Sequence, residues 1–329
     1  MLVFYFLDLV LVQLQLCIYH SLGLLFLKYI TKRYDNRKAE IEKETKGSTE
    51  KERNYLLNLQ DQYTAKGVFY LKEGDNWNDL VKKVSSEKNL AIKIDEMIQE
   101  IENDNQALEN VLPKVFASSG IPNHSLQQLI ELFDTIPTDA VEKDLFGMVY
   151  EFFLREFHKK IGQKGGEFFT PPSLVDLIVN FIEPDHGIIH DPACGSGGMF
   201  VQSMKFIENH HGDKKEISIY GQEYTATTYK LAKMNLAIRG IAANLGAVPA
   251  DTFNKDQHKD LKADYIMANP PFNQKAWREA NELLDDPRWR GYDVPQTGNA
   301  NYAWILNMAS KLSENGVAGF ILANGALSG

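Results

Sequence analysis

The sequence predicts an all-α domain over residues 1–157 followed by a parallel α/β domain over residues 158–329. Two observations carry that prediction, and the first is a change of texture near Lys164. Before it, apolar residues recur at helical spacing, as in Leu22, Leu25, Phe26 and Tyr29, and in Leu90, Ile94, Met97 and Ile101. After it, short apolar runs suited to buried parallel strands occur at Ile188–His190, Ile217–Tyr220, Tyr265–Ala268 and Val317–Leu322. The second observation is what lies around them: helical patterns at Ser173–Ile182, Met199–Asn209, Ala226–Arg239 and Tyr302–Leu312. Strands alternating with helices imply a sheet that binds its ligands at the carboxyl ends of its strands.

Within the first domain, residues 1–30 are unusually apolar. A membrane helix needs about 20 predominantly apolar residues, and Asp8, Gln13, Gln15 and His20 interrupt this run. A signal peptide would show a basic start and a small-residue cleavage site, and neither is present. The segment is therefore read as a buried helix rather than a membrane or export segment. The charged stretch from Lys32 to Arg53 reads as a solvated helix and loop. Asp139 with Glu142 forms a capped start for a helix Ala140–Lys160, whose apolar side carries Phe146, Val149, Tyr150, Phe153 and Phe157. Gly165-Gly166 then ends the helical half.

At 329 residues, with 44% hydrophobic and 24% charged residues, the chain has room for two cores. A formal charge of −9 argues against holding nucleic acid by bulk electrostatics alone. Local basic clusters do exist, at Lys159, Lys160 and Lys164 and again at Lys275, Arg278, Arg288 and Arg290. Cys17 and Cys194 are the only cysteines, so there is neither a disulfide framework nor zinc spacing, and no metal is expected. A reducing cytoplasm is the default location.

Two segments carry chemistry. Asp191-Pro192-Ala193-Cys194-Gly195-Ser196-Gly197-Gly198 lies between a predicted strand and a predicted helix, where glycines permit a tight turn and close approach of a ligand. Counted from Gly195, the sixth position is Phe200, so this is not a dinucleotide fingerprint. An acid at the mouth of the loop suits a cationic amino group better than a pyrophosphate. Glu223, at the end of the next strand, is placed to accept from ribose hydroxyls. Cys194 has no neighbouring base in sequence and reads as a small buried side chain.

The other segment is Asn269-Pro270-Pro271-Phe272, at the carboxyl end of a strand, where two prolines end the ladder and fix a rigid turn. An exocyclic amine such as adenine N6 is a poor nucleophile because its lone pair is delocalised. A side-chain amide oxygen and a backbone carbonyl can accept its two hydrogens and orient the nitrogen. An aromatic ring can stack on a base taken out of the duplex.

Together with Leu24–Ile30, Gly165–Pro171, Gly221-Gln222-Glu223 and Gly316–Leu327, these motifs resemble the modification (M) subunits of type I restriction-modification systems. The resemblance implies a Rossmann-like class I methyltransferase sheet and transfer of methyl from S-adenosylmethionine to N6 of adenine in double-stranded DNA. Phe169, Thr170 and Pro171 then resemble the segment that closes over the methionine end of the cofactor. Asp191, Gly195, Ser196, Gly197 and Gly198 resemble its binding loop, Glu223 its ribose acid, and Asp251, before Thr252 and Phe253, the reader of its adenine amine. Asn269, Pro270, Pro271 and Phe272 resemble the target-base site. The resemblance also implies a clamping role for the helical domain and a specificity (S) subunit shared by two M copies. A motor-nuclease (R) subunit would join for restriction. It further implies two more strands and a helical tail beyond Gly329, so a C-terminally incomplete domain is expected.

Residues 273–300 show no periodicity, yet carry Trp277, Trp289, Tyr292 and the second basic cluster. They read as a DNA-facing loop, the alternative being a packing excursion over the sheet. Two other functions stay open: a protein-glutamine or RNA methyltransferase, since Asn-Pro-Pro-aromatic serves amides and other amines too, and an inactive assembly module.

Overall fold

The computed structural model of the chain describes residues 18–136, 145–160 and 170–326. Residues 1–17, the capped start at Asp139 and Glu142, Lys164, Gly165-Gly166 and Phe169 lie outside them, as do the side chains of Phe146, Phe157, Lys159 and Lys160. The chain divides into two compact units, Met1–Phe157 and His158–Gly329.

The first unit is helical: α1 (Ile18–Glu44), α2 (Glu50–Leu57), α3 (Asp61–Thr64), α4 (Trp77–Lys83), α5 (Leu90–Asp104), α6 (Asn123–Asp134) and α7 (Leu145–Lys160). The first half of α1 is buried nearly all round, with Leu22, Leu24, Leu25, Phe26, Leu27 and Ile30 in the core. Among the described residues, no helix is long and apolar enough to cross a membrane. Lys28, buried in that apolar stretch, donates to the carbonyls of Phe133, Asp134 and Ile136 at 2.7, 2.9 and 2.8 Å. It thereby adds a donor to carbonyls at and just beyond the end of α6, where Phe133 O also accepts from the Ile136 N–H at 3.1 Å. Burial pushes its ammonium pKa down, partly countered by Asp134. Trp77 completes the junction: its backbone N–H donates to Thr31 Oγ1 at 2.9 Å and its indole N–H to Asp134 at 2.8 Å.

The second unit is a parallel sheet with helices on both faces. Its strands are β1 (Gly187–Asp191), β2 (Ile217–Gly221), β3 (Ala243–Asn244), β4 (Ala263–Ala268) and β5 (Leu312–Phe320), in the order β3-β2-β1-β4-β5. Every pairing is parallel. Helices α8 (Pro172–Ile182), α9 (Gly198–Asn209), α10 (Ala226–Ile238) and α11 (Asn301–Lys311) complete the unit. Alternation along the strands divides the core. Ile189, Ile219 and Met267 pack with Val175, Phe200, Met204 and Leu236 on one face. Ile266 and Ala268 pack with Phe253, Trp277, Trp289, Trp304 and Met308 on the other.

Four strands and four helices lie where the apolar pattern predicts, with two differences. β3, two residues long, is too short to leave a period-2 signal. The last strand begins at Leu312 rather than Val317, because α11 passes directly into it. Leu312 pairs with Ala263, and the register shifts before Val317 pairs with Tyr265.

Replacing Lys28 by Met keeps the apolar stem but removes the ammonium donor from three carbonyls, of which Phe133 O retains the Ile136 N–H. Lys28→Met is expected to lower the unfolding free energy by about 2–4 kcal/mol, measured as a lower urea midpoint by circular dichroism.

Candidate active site

Because all strands run parallel, β1, β2 and β4 end at one edge of the sheet. The strand order reverses between β1 and β4, so the residues after Asp191 and after Ala268 flank one crevice. Gly195 and Gly197 hold φ of 54° and 80°, which side chains disfavour. They turn the chain from β1 into α9, which begins at Gly198. The backbone ties this loop to β2: Gln222 N–H donates to Asp191 O and Cys194 N–H to Gln222 O, both at 3.0 Å.

Two carboxylates are buried here. Asp191 Oδ1 accepts from the Ala193 N–H at 2.9 Å, and Glu223 accepts from the Gly195 and Thr225 N–H groups at 3.1 and 2.7 Å. Burial pushes Asp191 up to about 8; the Ala193 N–H opposes this and the Glu223 charge adds to it. Glu223 is likewise raised by burial, against the hydrogen bonds from Thr225 and Gly195. The Cys194 thiol is pushed well up by burial and by both acids, which leaves it protonated and unfit as a nucleophile.

A cavity of about 810 Å³ opens beside these loops, lined by Pro192, Ala193, Glu223, Tyr224, Thr225, Asp251, Thr252, Asn254, the segment Pro271–Trp277 and Trp304. Glu223, Asp251, Pro271 and Phe272 thus line one cavity, whereas Asp191, Gly195, Ser196, Gly197, Gly198, Thr170, Pro171, Asn269 and Pro270 are not part of its lining. Asp251 Oδ1 accepts from the N–H groups of Phe253 and Asn254 at 2.9 and 2.8 Å, turning its loop at the rim. Phe253 does not line the cavity; its ring is buried between Trp277 and Trp304, at 4.5 and 4.4 Å between centroids.

The Asn269 amide donates to Thr170 Oγ1 at 3.1 Å, and its Oδ1 is buried with no hydrogen-bond partner among the described residues. Such an orphaned acceptor is costly unless a donor arrives. Pro270 is buried and Pro171 exposed at the start of α8. Ser196, buried, presents its backbone oxygen to Asn235 at 2.7 Å.

Much of the segment 273–300 is a packing excursion. Arg278, buried, donates to the carbonyls of Glu279, Ala280, Glu282 and Pro295 at 2.8–3.3 Å. Arg288 pairs with Asp286 at 2.7 Å and donates to the carbonyls of Thr252 and Phe253 at 2.9 and 2.6 Å. The Trp277 and Trp289 rings are buried. Lys275, Arg290 and Tyr292 alone of the residues singled out in this segment remain exposed.

Sequence reasoning passed over Gln222. Its buried side chain donates to the carbonyls of Ala250 and Lys255 at 3.1 and 2.9 Å and accepts from the Gln257 N–H at 3.0 Å. It thus holds the Asp251 loop against the end of β2. A glutamine beside an acid at a strand end carries no signal of that role.

This sheet and this order of loops are those of class I methyltransferases. The N-6 DNA Methylase family model matches residues 141–329 and the HsdM N-terminal domain model residues 18–133, and the chain belongs to the N-6 DNA methylase family. It is 40% identical over 325 residues to the type I restriction enzyme MjaIX methylase subunit of Methanocaldococcus jannaschii, covering 94% of this chain and 58% of that relative. It is 46% identical over 245 residues to the HindI methylase subunit of Haemophilus influenzae, covering 71% and 55% respectively. The chain thus spans somewhat more than half the length of these relatives. The crystal structure of a type I restriction-modification methyltransferase subunit from Streptococcus thermophilus superposes with a TM-score of 0.76 at 21% identity, covering 98% of this chain and 74% of that one.

Asp191 sets a pH dependence whose sign follows from its raised pKa. Between about pH 4 and its folded pKa, the folded state keeps a proton that the unfolded chain has lost. The associated stability is fully present below about pH 4 and is lost as pH rises towards 8. Asp191→Asn keeps the acceptor for Ala193 and removes this loss. Without added ligand, its Tm relative to the unsubstituted chain should rise between pH 5.5 and pH 8; an equal difference at both would refute the burial argument.

Proposed function

We propose that the chain is the modification subunit of a type I restriction-modification system and methylates adenine N6 in double-stranded DNA. The observation that carries this reading is the Asn269 amide, which donates to Thr170 while its oxygen has no partner among the described residues. Family membership and the two methylase-subunit relatives support it.

The cavity's volume and two of its lining acids, Glu223 and Asp251, suit S-adenosylmethionine. Glu223, at the cavity, is held by the Gly195 and Thr225 N–H groups and would accept from the ribose hydroxyls. Asp251, at the rim, would accept from the adenine amine. Asp191, short of a cation, would take the amino group of the methionine moiety, beside the turn formed by Gly195, Ser196, Gly197 and Gly198. Thr170 and Pro171, with Phe169, would close over that end. When bound, the cofactor supplies a methyl group on a sulfonium, which needs no strong base to be transferred.

The chain's own residues then act on the base. Phe272, 39% exposed at the cavity wall, stacks on the flipped adenine. Asn269 Oδ1 accepts one N6 hydrogen and a carbonyl of the Pro270-Pro271 turn the other, so the nitrogen lone pair turns out of the ring plane. Asn269 thus orients the nucleophile, and the proton is lost to solvent after transfer. Lys275, Arg290 and Tyr292 face DNA from the segment that follows. The domain boundary at residue 157 separates this machinery from a helical domain that clamps DNA. Sequence choice falls to an S subunit shared by two M copies, restriction to a motor-nuclease subunit, and the complex works in the cytoplasm.

Asn269→Ala is expected to lower labelled methyl transfer to DNA about 10²–10³-fold, with cofactor Kd within threefold, assayed with the cognate specificity subunit. Unchanged transfer would refute the role of Asn269; label in protein or RNA instead of DNA would refute the substrate. Cofactor binding should also release a proton at pH 7, as Asp191 ionises to meet the ammonium. Calorimetry in buffers of different ionisation enthalpy reads that proton, and Asp191→Asn should abolish it.

A further inference from the structure

Asn273, the residue after Phe272, has a left-handed backbone with φ of 51°, a conformation that non-glycine residues hold only when their surroundings impose it. What imposes it is Asn301, the buried first residue of α11, 28 residues away. The Asn273 N–H donates to Asn301 Oδ1 at 2.9 Å, while Asn301 Nδ2 donates back to Asn273 Oδ1 at 2.9 Å. Asn299 reinforces the pair, donating to the same Asn273 oxygen at 3.2 Å and accepting from the Asn301 N–H at 2.8 Å. Backbone bonds extend the seam, from Ala300 N–H to Gln274 O at 2.9 Å and from Ala276 N–H to Thr297 O at 3.0 Å. Only an amide side chain presents a donor and an acceptor together in this geometry. Phe272 itself is partly exposed, so backbone more than packing must set the plane of its ring.

We propose that Asn301 is a positioning residue for the target base. Through its reciprocal bonds with Asn273, it fixes the backbone that follows Phe272 and so the plane on which the flipped adenine stacks. This inference rests on the methyltransferase reading above. Near-attack geometry is unforgiving, and a shift of about 1 Å in a positioned group can cost roughly 10²-fold in rate.

The test uses the chain with its cognate specificity subunit, on duplexes whose recognised sequence has been mapped from the methylation pattern. Asn301→Ala should lower kcat about 10- to 100-fold, with cofactor Kd within twofold. With 2-aminopurine at the target position, its emission should rise as stacking on Phe272 loosens. Asn301→Asp, which still accepts from the Asn273 N–H, should recover part of kcat. Asn273→Gly leaves α11 intact and keeps φ accessible but removes the side-chain acceptor; it should also lower kcat, which guards against a folding failure at position 301. A merely structural role predicts fewer active molecules with kcat per bound cofactor and emission unchanged, and that result would overturn the inference. Transfer by the unsubstituted complex with unchanged kcat in both Asn301→Ala and Asn273→Gly overturns this inference alone. No transfer by the unsubstituted complex overturns the methyltransferase reading with it.

Discussion

The parallel pairing of every strand with its neighbours is the constraint from which the site follows. It sends the ends of β1, β2 and β4 to one edge, and the order β3-β2-β1-β4-β5 opens a crevice where neighbouring connections diverge. It also leaves the loops at that edge with unpaired backbone groups that no ladder can satisfy. Gln222 and Arg288 answer that need from opposite sides of the Asp251 loop, the former at Ala250 and Lys255 and the latter at Thr252 and Phe253. A loop held on both sides presents its carboxylate at a fixed place on the cavity wall.

Charge is arranged here at the expense of stability. Two acids, Asp191 and Glu223, are buried near each other with backbone N–H groups for company and, among the described residues, no cation among the causes of their shifts. Burying an ion without a counter-charge costs several kcal/mol, and Asp191 avoids that cost by keeping its proton to higher pH than an ordinary carboxylate. The same surroundings silence Cys194, whose thiol is raised by both acids. One field therefore disfavours a thiolate and favours an ammonium, which separates this loop from those that bind pyrophosphate.

The strands were legible because buried parallel strands are written as short apolar runs, and the helices because their core faces repeat. The strand-end residues Asp191, Glu223 and Asn269 were legible for a related reason: a polar residue directly after an apolar run falls at the carboxyl edge. Side-chain direction beyond the strand ends was not. Phe253 looks like a cavity residue by its place next to Asp251, yet it turns inward to the tryptophans. Arg278 and Arg288 read as DNA contacts by charge, but their guanidinium groups are spent on loop carbonyls. Composition reports charge without saying whether a donor faces solvent or backbone, so a segment rich in arginine and tryptophan reads alike in both roles. The reciprocity of Asn273 and Asn301 is equally silent, since only the fold brings together two asparagines 28 residues apart.

That segment nonetheless serves the site. Its buried half fixes its exposed half. Arg278 gathers the carbonyls of Glu279, Ala280, Glu282 and Pro295, and Trp277 and Trp289 anchor it to the sheet through Phe253. Lys275 is thereby carried on a rigid support rather than a mobile tether, and the Asn301 seam begins two residues before it. The same logic applies at Asn269, whose amide is oriented by Thr170 before any donor meets its oxygen. An acceptor aligned in advance loses little conformational freedom when a donor meets it.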